Sequence, residues 1–328
     1  MIRTIHYTNT GQQRTDIPMT EIPTLVKLEE GLLWVDLFDE PREHCEQILL
    51  EHFGFHPLAV EDAFEESQIP KVDDWEDYLY IVLDGVEWIG DEEEQIRIPE
   101  LDIFLGRHYV VTYHPSPVKA LDRVWAAAQR DYRMLKNGAD HLLYRLAHEQ
   151  AMEAMNVIEN IDELLDHLED DILTGANLQV MEKLFLLKRT LLILRRTVVP
   201  QREVFNKLAR DPYAVVDEKD QIYFRDVFDH FIWLQGLIEN LRDLVGGAMD
   251  MYLSVVNNRM NNAMRALTVI TTLFLPLTFI TGFFGMNFFE AVLPSAWWTG
   301  ELMFGLTLFG LLVIPVGMYL WMKRWALR

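Results

Sequence analysis

Cysteine occurs once in this chain, at Cys45, so it makes no intrachain disulfide and carries no CxxC pair for a metal or redox centre. Such usage suits a reducing cytoplasm. Charge is almost missing from the C-terminal part, where only Glu290, Glu301, Lys323, Arg324 and Arg328 follow Arg265. No GxxxxGK(S/T) phosphate loop is present, which excludes that kind of nucleotide-driven engine. The opening MIRTIHYTNT holds no apolar run like a signal peptide, so insertion into a membrane is expected to depend on the C-terminal part.

What the C-terminal part does contain is two charge-free runs, Ala266 to Phe289 and Leu302 to Met322. At a helical rise of about 1.5 Å per residue each is long enough to cross a bilayer core. Arg259 and Arg265 precede the first run and Lys323, Arg324 and Arg328 follow the second. The connection from Phe288 to Glu301 holds no Lys or Arg. The positive-inside rule therefore predicts a hairpin in the cell inner (plasma) membrane, both termini cytoplasmic and the short loop outside. The part up to Arg265 keeps 26 of the 29 basic and 49 of the 51 acidic side chains, a net charge of −23. That field repels nucleic acid, so no nucleic-acid partner is expected, and it attracts cations.

From Met1 to about Tyr113 the pattern is short and mixed. Ile2–Thr8, Leu32–Leu37, Tyr78–Trp88, Ile96–Leu105 and Tyr109–Tyr113 read as strands, with a hairpin turn at Gly106-Arg107. Pro41–Phe53 and Pro57–Glu65 read as helices, the first with Asp39 as candidate N-cap. Interleaved strands and helices predict an α/β cytoplasmic domain, a mixed sheet flanked by helices. Beyond Pro117 the chain turns helical. One helix ends at Asn137-Gly138, a second runs from Ala139 to Leu173, and a third from Leu178 to about Ala209 with a kink or break expected at Pro200. From near Asp217 a single helix could reach Phe284. Such a helix would span about 100 Å, unless Gly246-Gly247 bends it or marks close packing. The expected domains are 1–137, α/β; 138–216, antiparallel helices; 217–289, stalk and first membrane helix; 290–301, external loop; 302–322, second membrane helix; and 323–328, a basic tail.

Along that long helix, Asn257, Asn261, Met264, Thr268, Thr271, Leu275, Thr278, Gly282 and Gly285 follow at steps of three and four, and so share one face. The face is small or polar and uncharged. In a membrane helix such a stripe either packs against partner helices or lines a wet pathway, and a ring of identical copies can do both. Elsewhere, His52 and His56 have HxxxH spacing near His44, Glu61 and Asp62, but Gly54 and Pro57 interrupt the helix that would align them, which disfavours a zinc site. His141 and His148 share a helix face with no further ligand evident in sequence.

The stretch NNRMNNAMRALTVITTLFLPLTFITGFFGMNF resembles the CorA family of divalent-cation channels, marked by Gly-Met-Asn at the end of the first membrane helix. HPLAVEDAFEESQIPKVDDWEDYLYIVLDG, YFRDVFDHF and LWMKRWALR are similar to it as well. The resemblance implies a funnel-shaped homopentamer with five long helices around a pore. It also implies passive Mg²⁺ uptake, with Co²⁺ and Ni²⁺ as lesser cargo, no enzyme activity and no organic cofactor. Carried over by position, Gly285, Met286 and Asn287 form the selectivity motif, and Asn261, Met264, Leu267, Thr271, Leu275, Thr278 and Gly282 line the path. The matched position is Leu267, whereas spacing alone leaves Leu267 and Thr268 equivalent. Regulatory Mg²⁺ between subunits is implied at Asp62 and Asp226, with Glu61 as a neighbouring group. His148 departs from the family, standing where an acidic residue can occur. The rival readings are a ZntB-like zinc transporter, against which Met286 argues because those relatives carry Gly-Ile-Asn, and a membrane-anchored metal sensor.

Overall fold

The computed structural model describes residues 1–28, 30–65, 69–90, 95–175, 177–286 and 300–325. They fall into two compact units, Met1–Met249 and Asp250–Arg328. The first unit is built on a seven-stranded sheet. Its strands are β1 (Ile2–Tyr7), β2 (Gln13–Thr15), β3 (Leu32–Phe38), β4 (Lys71–Asp74), β5 (Leu79–Asp84), β8 (Glu100–Leu105) and β9 (Tyr109–His114), in spatial order β2-β1-β3-β9-β8-β5-β4. Only β3 and β9 pair in parallel; every other neighbour is antiparallel. A two-residue ribbon pairs β6 (Glu87–Trp88) with β7 (Ile96–Arg97).

The central strands are buried on both faces, which is why β3 reads LLWVDLF with no polar alternation. Its side chains still divide by the strand period of two. Leu33, Val35 and Leu37 enter a cluster with Cys45, Ile48, Leu49, Phe55, Ala59 and Val60 of the segment carrying α2 (Arg42–Gln47) and α3 (Pro57–Phe64), beside α1 (Ile22–Leu28). On the opposite face Trp34 meets Trp125 of α4 (Lys119–Arg130) at 4.6 Å between ring centroids. The sheet is thus the middle of three layers, as the sequence-based reading of a mixed sheet flanked by helices requires.

Asp36 sits fully buried on that second face. Arg3 Nε donates to its Oδ2 at 2.6 Å, Thr112 Oγ1 donates to its Oδ1 at 2.5 Å, and His114 Nε2 lies 3.3 Å from Oδ1. Burial works to raise the Asp36 pKa, but His114, Arg3 and Thr112 outweigh it and hold the carboxyl below its ordinary value. Asp102 is the opposite case. Full burial, with Glu100 and Asp84 close by, raises its pKa well above the ordinary carboxyl value despite the hydrogen bond donated by Tyr80 Oη at 2.6 Å.

Several expectations change in detail. Tyr78–Trp88 and Ile96–Leu105 are each two strands, interrupted where Gly85 N donates to the Pro99 carbonyl at 2.8 Å. Proline cannot donate to a ladder, and a Cβ on Gly85 would lie 3.0 Å from the Pro99 ring. Asp39 is not the cap of α2: Pro41 holds that position with no side-chain bond, and Asp39 adopts φ 49°, a left-handed conformation that Asp tolerates. The Gly106 turn is as expected, with Gly106 N bonded to Tyr109 O at 3.0 Å and the Tyr109 ring packed where a Cβ would stand.

Three long helices complete this unit: α5 (Ala139–Gly175), α6 (Leu178–Arg210) and the first part of α7 (Gln221–Phe284). Asn177 caps α6 by accepting from Val180 N at 3.0 Å. Pro200 does not break α6. The bond its missing N–H cannot make is offset by the buried neighbours Thr197, Val198, Gln201 and Val204, and Gln201 Oε1 accepts from Asp84 N at 3.3 Å. Helix α7 begins at Gln221 rather than Asp217, because Asp217 N is taken by Asp140 Oδ2 at 3.0 Å and a turn closes from Asp220 N to Asp217 O. At 64 residues it spans about 96 Å. It runs uninterrupted through Gly246, Gly247 and Pro276, and neither Gly246 nor Gly247 has a neighbour within 4 Å of a virtual Cβ.

Candidate functional site

In the second unit, the remainder of α7 is followed by α8 (Glu301–Trp325), which includes Pro315. Both helices are long and apolar enough to cross a membrane, with mean hydropathy of 1.8 and 1.9 over their best windows. Among the described residues of this unit only Met322 is buried.

Every described residue of the expected path is exposed in the single chain: Asn261, Met264, Leu267, Thr271, Leu275, Thr278, Gly282, Gly285 and Met286. Asn287 lies outside the described residues. The partly covered side of the helix carries Val269, Thr272, Leu273, Pro276, Leu277 and Ile280 instead. Thr268 and Leu267 now differ. Thr268 lines a recess of about 540 Å³ with Asn258, Asn261, Met264, Arg265 and Met322 of α8, and Leu267 does not.

The threonines share one feature. Thr268, Thr271, Thr278 and Thr281 each donate their hydroxyl proton to the carbonyl four residues back, at 2.8, 2.9, 3.0 and 2.9 Å. With the proton spent inside the helix, each hydroxyl offers its lone pairs outward. A hydrated cation presents water protons, so such oxygens bind it through its shell without stripping it. No carboxylate lies between Arg265 and Met286 to trap an ion.

The expected regulatory groups sit in the first unit. Glu61 is exposed on α3, and Asp62, 38% exposed near the end of that helix, accepts from Lys71 Nζ at 2.5 Å. Lys71 also lies 3.2 Å from Asp73. Partial burial acts to lower the Lys71 pKa, but the two carboxylates prevail and raise it. Asp226 is exposed on α7, where its Oδ2 is 3.9 Å from His230 Nδ1 one turn on. Among the described residues of the single chain, Asp62 and Asp226 do not share a ligand cluster; His148, Asp226 and His230 do. Sequence reasoning passed over His230, although its i,i+4 spacing from Asp226 was a usable signal.

The histidines near α2 are structural. His56 Nδ1 accepts from Leu58 N at 3.2 Å as the cap of α3, and its ring stacks on Trp75 at 4.4 Å. His44 Nδ1 pairs with Glu40 at 3.2 Å.

Comparison with known proteins identifies the family and the fold. The family model for CorA-like Mg²⁺ transporter protein matches residues 29–324. The cobalt/magnesium transport protein CorA of Thermotoga maritima is 33% identical over 293 residues, covering 89% of this chain and 83% of the relative. The zinc transport protein ZntB of Yersinia pseudotuberculosis is 25% identical over 284 residues, covering 84% and 82%. The complete CorA magnesium transporter of Methanocaldococcus jannaschii superposes with a TM-score of 0.82 at 24% identity, over 99% of this chain and 98% of that one, and so shares its fold. A matched span of this extent and a 33% identical relative establish that the chain belongs to the CorA family of divalent-cation transporters, which are not enzymes.

Proposed function

We propose that this protein is a passive channel for hydrated Mg²⁺, with Co²⁺ and Ni²⁺ as lesser cargo, assembled as a homopentamer in the plasma membrane with both termini cytoplasmic. The observation that carries this reading is the exposed, uncharged edge of α7 with its proton-satisfied threonines. Five such edges around an axis give stacked rings of acceptor oxygen at Thr271 and Thr278, with Asn261 adding amide groups, and apolar constrictions at Met264, Leu267 and Leu275 that gate by dewetting. Gly282, Gly285 and Met286 lead to an outer ring at Asn287. Residues 1–137 form the α/β cytoplasmic domain, 138–216 the cytoplasmic antiparallel helices, 217–289 stalk and first membrane helix, 290–301 the outer loop, 302–322 the second span and 323–328 the basic tail.

The driving force is the membrane potential, which gives a divalent ion about 4.6 kcal/mol per 100 mV. Regulatory Mg²⁺ bridges Asp62 of one subunit and Asp226 of the next, with Glu61 nearby. Its loss leaves like charges facing each other and loosens the ring. Lys71 competes for this role, because its ammonium already holds Asp62 within the chain.

Uptake into proteoliposomes under an inside-negative potential, compared for Mg²⁺, Co²⁺ and Zn²⁺ with and without a proton gradient, tests the reading. Mg²⁺ entry without a proton gradient is expected, lost in Asn287→Ala and made insensitive to internal Mg²⁺ in Asp226→Lys. Proton-dependent Zn²⁺ entry without Mg²⁺ entry would favour the ZntB-like alternative, and absence of any flux would favour a membrane-anchored sensor.

A further inference from the structure

Helix α6 reverses the charge of the unit it belongs to. From Lys183 to Arg202 it carries six basic side chains and no acidic one, in a part of the chain whose net charge is −23. Among the described residues only Arg202 of the six is in an ion pair. Leu186, Arg189, Thr190 and Ile193 follow at steps of three, one and three and share one face of this helix. That face and the strand end at β7 border a recess of about 420 Å³ inside the first unit. The volume is that of a small-molecule site, about 300–1,000 Å³.

Three side chains hold unspent N–H groups at this recess. Arg97 is anchored through Nη2, which donates to Glu87 Oε2 at 2.5 Å and to the Pro117 carbonyl at 2.9 Å, leaving Nε and Nη1 to donate elsewhere. Arg189 is exposed and makes no hydrogen bond or ion pair among the described residues. Gln95 is only 6% exposed, and Thr190 Oγ1 donates to its Oε1 at 3.2 Å, which fixes the amide. Its NH₂ has no acceptor among the described residues, a costly state for a buried donor. Ile96, Ile98, Leu186 and Ile193 supply apolar walls.

We propose that this recess binds a phosphate monoester with a flat, weakly polar body, of the nucleoside monophosphate class. Guanidinium forks match phosphate oxygens, and the carboxamide adds a neutral donor. A phosphate monoester brings close to two negative charges and several acceptor oxygens, more than a carboxylate offers to three separate donors. Glu87 is shared by Arg97 and Lys119, so those three groups leave one positive charge and Arg189 adds a second. Asp91 to Glu94 precede Gln95 in the chain and lie outside the described residues; their charge opposes an anion, and salt screens it. The aliphatic walls take the body of the ligand, and the recess has no room for the two acyl chains of a phospholipid. The inference rests on the first unit alone and not on the channel reading.

The test is calorimetric titration of purified full-length protein in detergent, free of divalent ions, with AMP, dihexanoyl phosphatidic acid and inorganic phosphate. Expected is saturable binding of AMP at one per chain, about tenfold tighter than either of the other two. Arg189→Gln should weaken it about tenfold while eluting and melting like wild type, since the side chain is exposed. Photolabelling of the wild-type protein with 8-azido-AMP, which needs no variant, should mark residues 95–98 or 186–193. The proposal is overturned if AMP does not bind saturably, if inorganic phosphate or the phosphatidic acid binds as tightly, if Arg189→Gln binds like wild type, or if the label falls elsewhere.

Discussion

Helix α7 belongs to both compact units and treats its side chains differently in each. In Met1–Met249 it buries Phe224, Val227, Phe231, Leu234, Ile238, Leu241, Val245 and Ala248, at alternating steps of three and four. That is a seam of the kind that packs helix on helix. From Asp250 onward the same helix leaves Leu267, Ile270, Phe274, Leu275 and Phe279 more than half exposed. The backbone pattern does not change; the intended solvent does. The first unit encloses its own core, whereas the exposed side chains of the second belong to helices long and apolar enough to cross a membrane.

Cutting the chain between the units should give the largest effect. Residues 1–249 alone are expected to stay soluble, with helical and sheet circular dichroism and a cooperative melt, whereas 250–328 should sediment without detergent. A 1–249 fragment that aggregates would break the contrast. Next comes the buried charge at Asp36. Asp36→Asn should cost about 3 kcal/mol in urea unfolding, because Arg3 and His114 lose their counter-charge.

The sign of the accompanying pH effect follows from the depressed carboxyl. Its stabilisation is present above the unfolded value of about 3.9 and is lost as pH falls through the lower folded value. The variant's stability should therefore fall less steeply with acid than the wild type's. Smaller again is Lys71→Gln, which frees Asp62 and should lower the Mg²⁺ concentration for half-inhibition of flux about threefold, the range of a partly exposed ion pair. An unchanged inhibition curve would count against Asp62 as a gate. Smallest is Arg14→Ala, whose ion pair with Glu21 is about half exposed on both sides; its melt should shift by less than about 0.5 kcal/mol.

Much of this was legible because long-period signals survive local noise. Strands β1, β3 and β9, helices α5 to α7 and two long apolar helices stand where they were expected, and the other two expected strands are present but each split in two, since each rests on several residues of consistent periodicity or length. Strands β2 and β4 were not legible: QRT and KVDD carry no apolar alternation, being edge strands whose charges discourage further pairing. Leu267 and Thr268 were not separable in the sequence, because adjacent residues on a helix differ by only about 100° and both border the same stripe; in the single chain both are exposed, and Thr268 alone of the two lines the recess beside Met322. The His148 cluster was illegible for another reason. His148 and Asp226 stand on separate helices with the whole of α6 between them in the chain, and only the packing of α5 on α7 joins them.

Cys45 has a practical consequence. Its sulfur is wholly enclosed in the sheet–helix core, and burial pushes the thiol up to about 11, so almost none is thiolate at neutral pH. The native chain is therefore a ready-made blank for thiol chemistry. A cysteine placed at each turn of α7 in succession, probed with a water-soluble maleimide, would report the wetted edge of the helix without first engineering the background away.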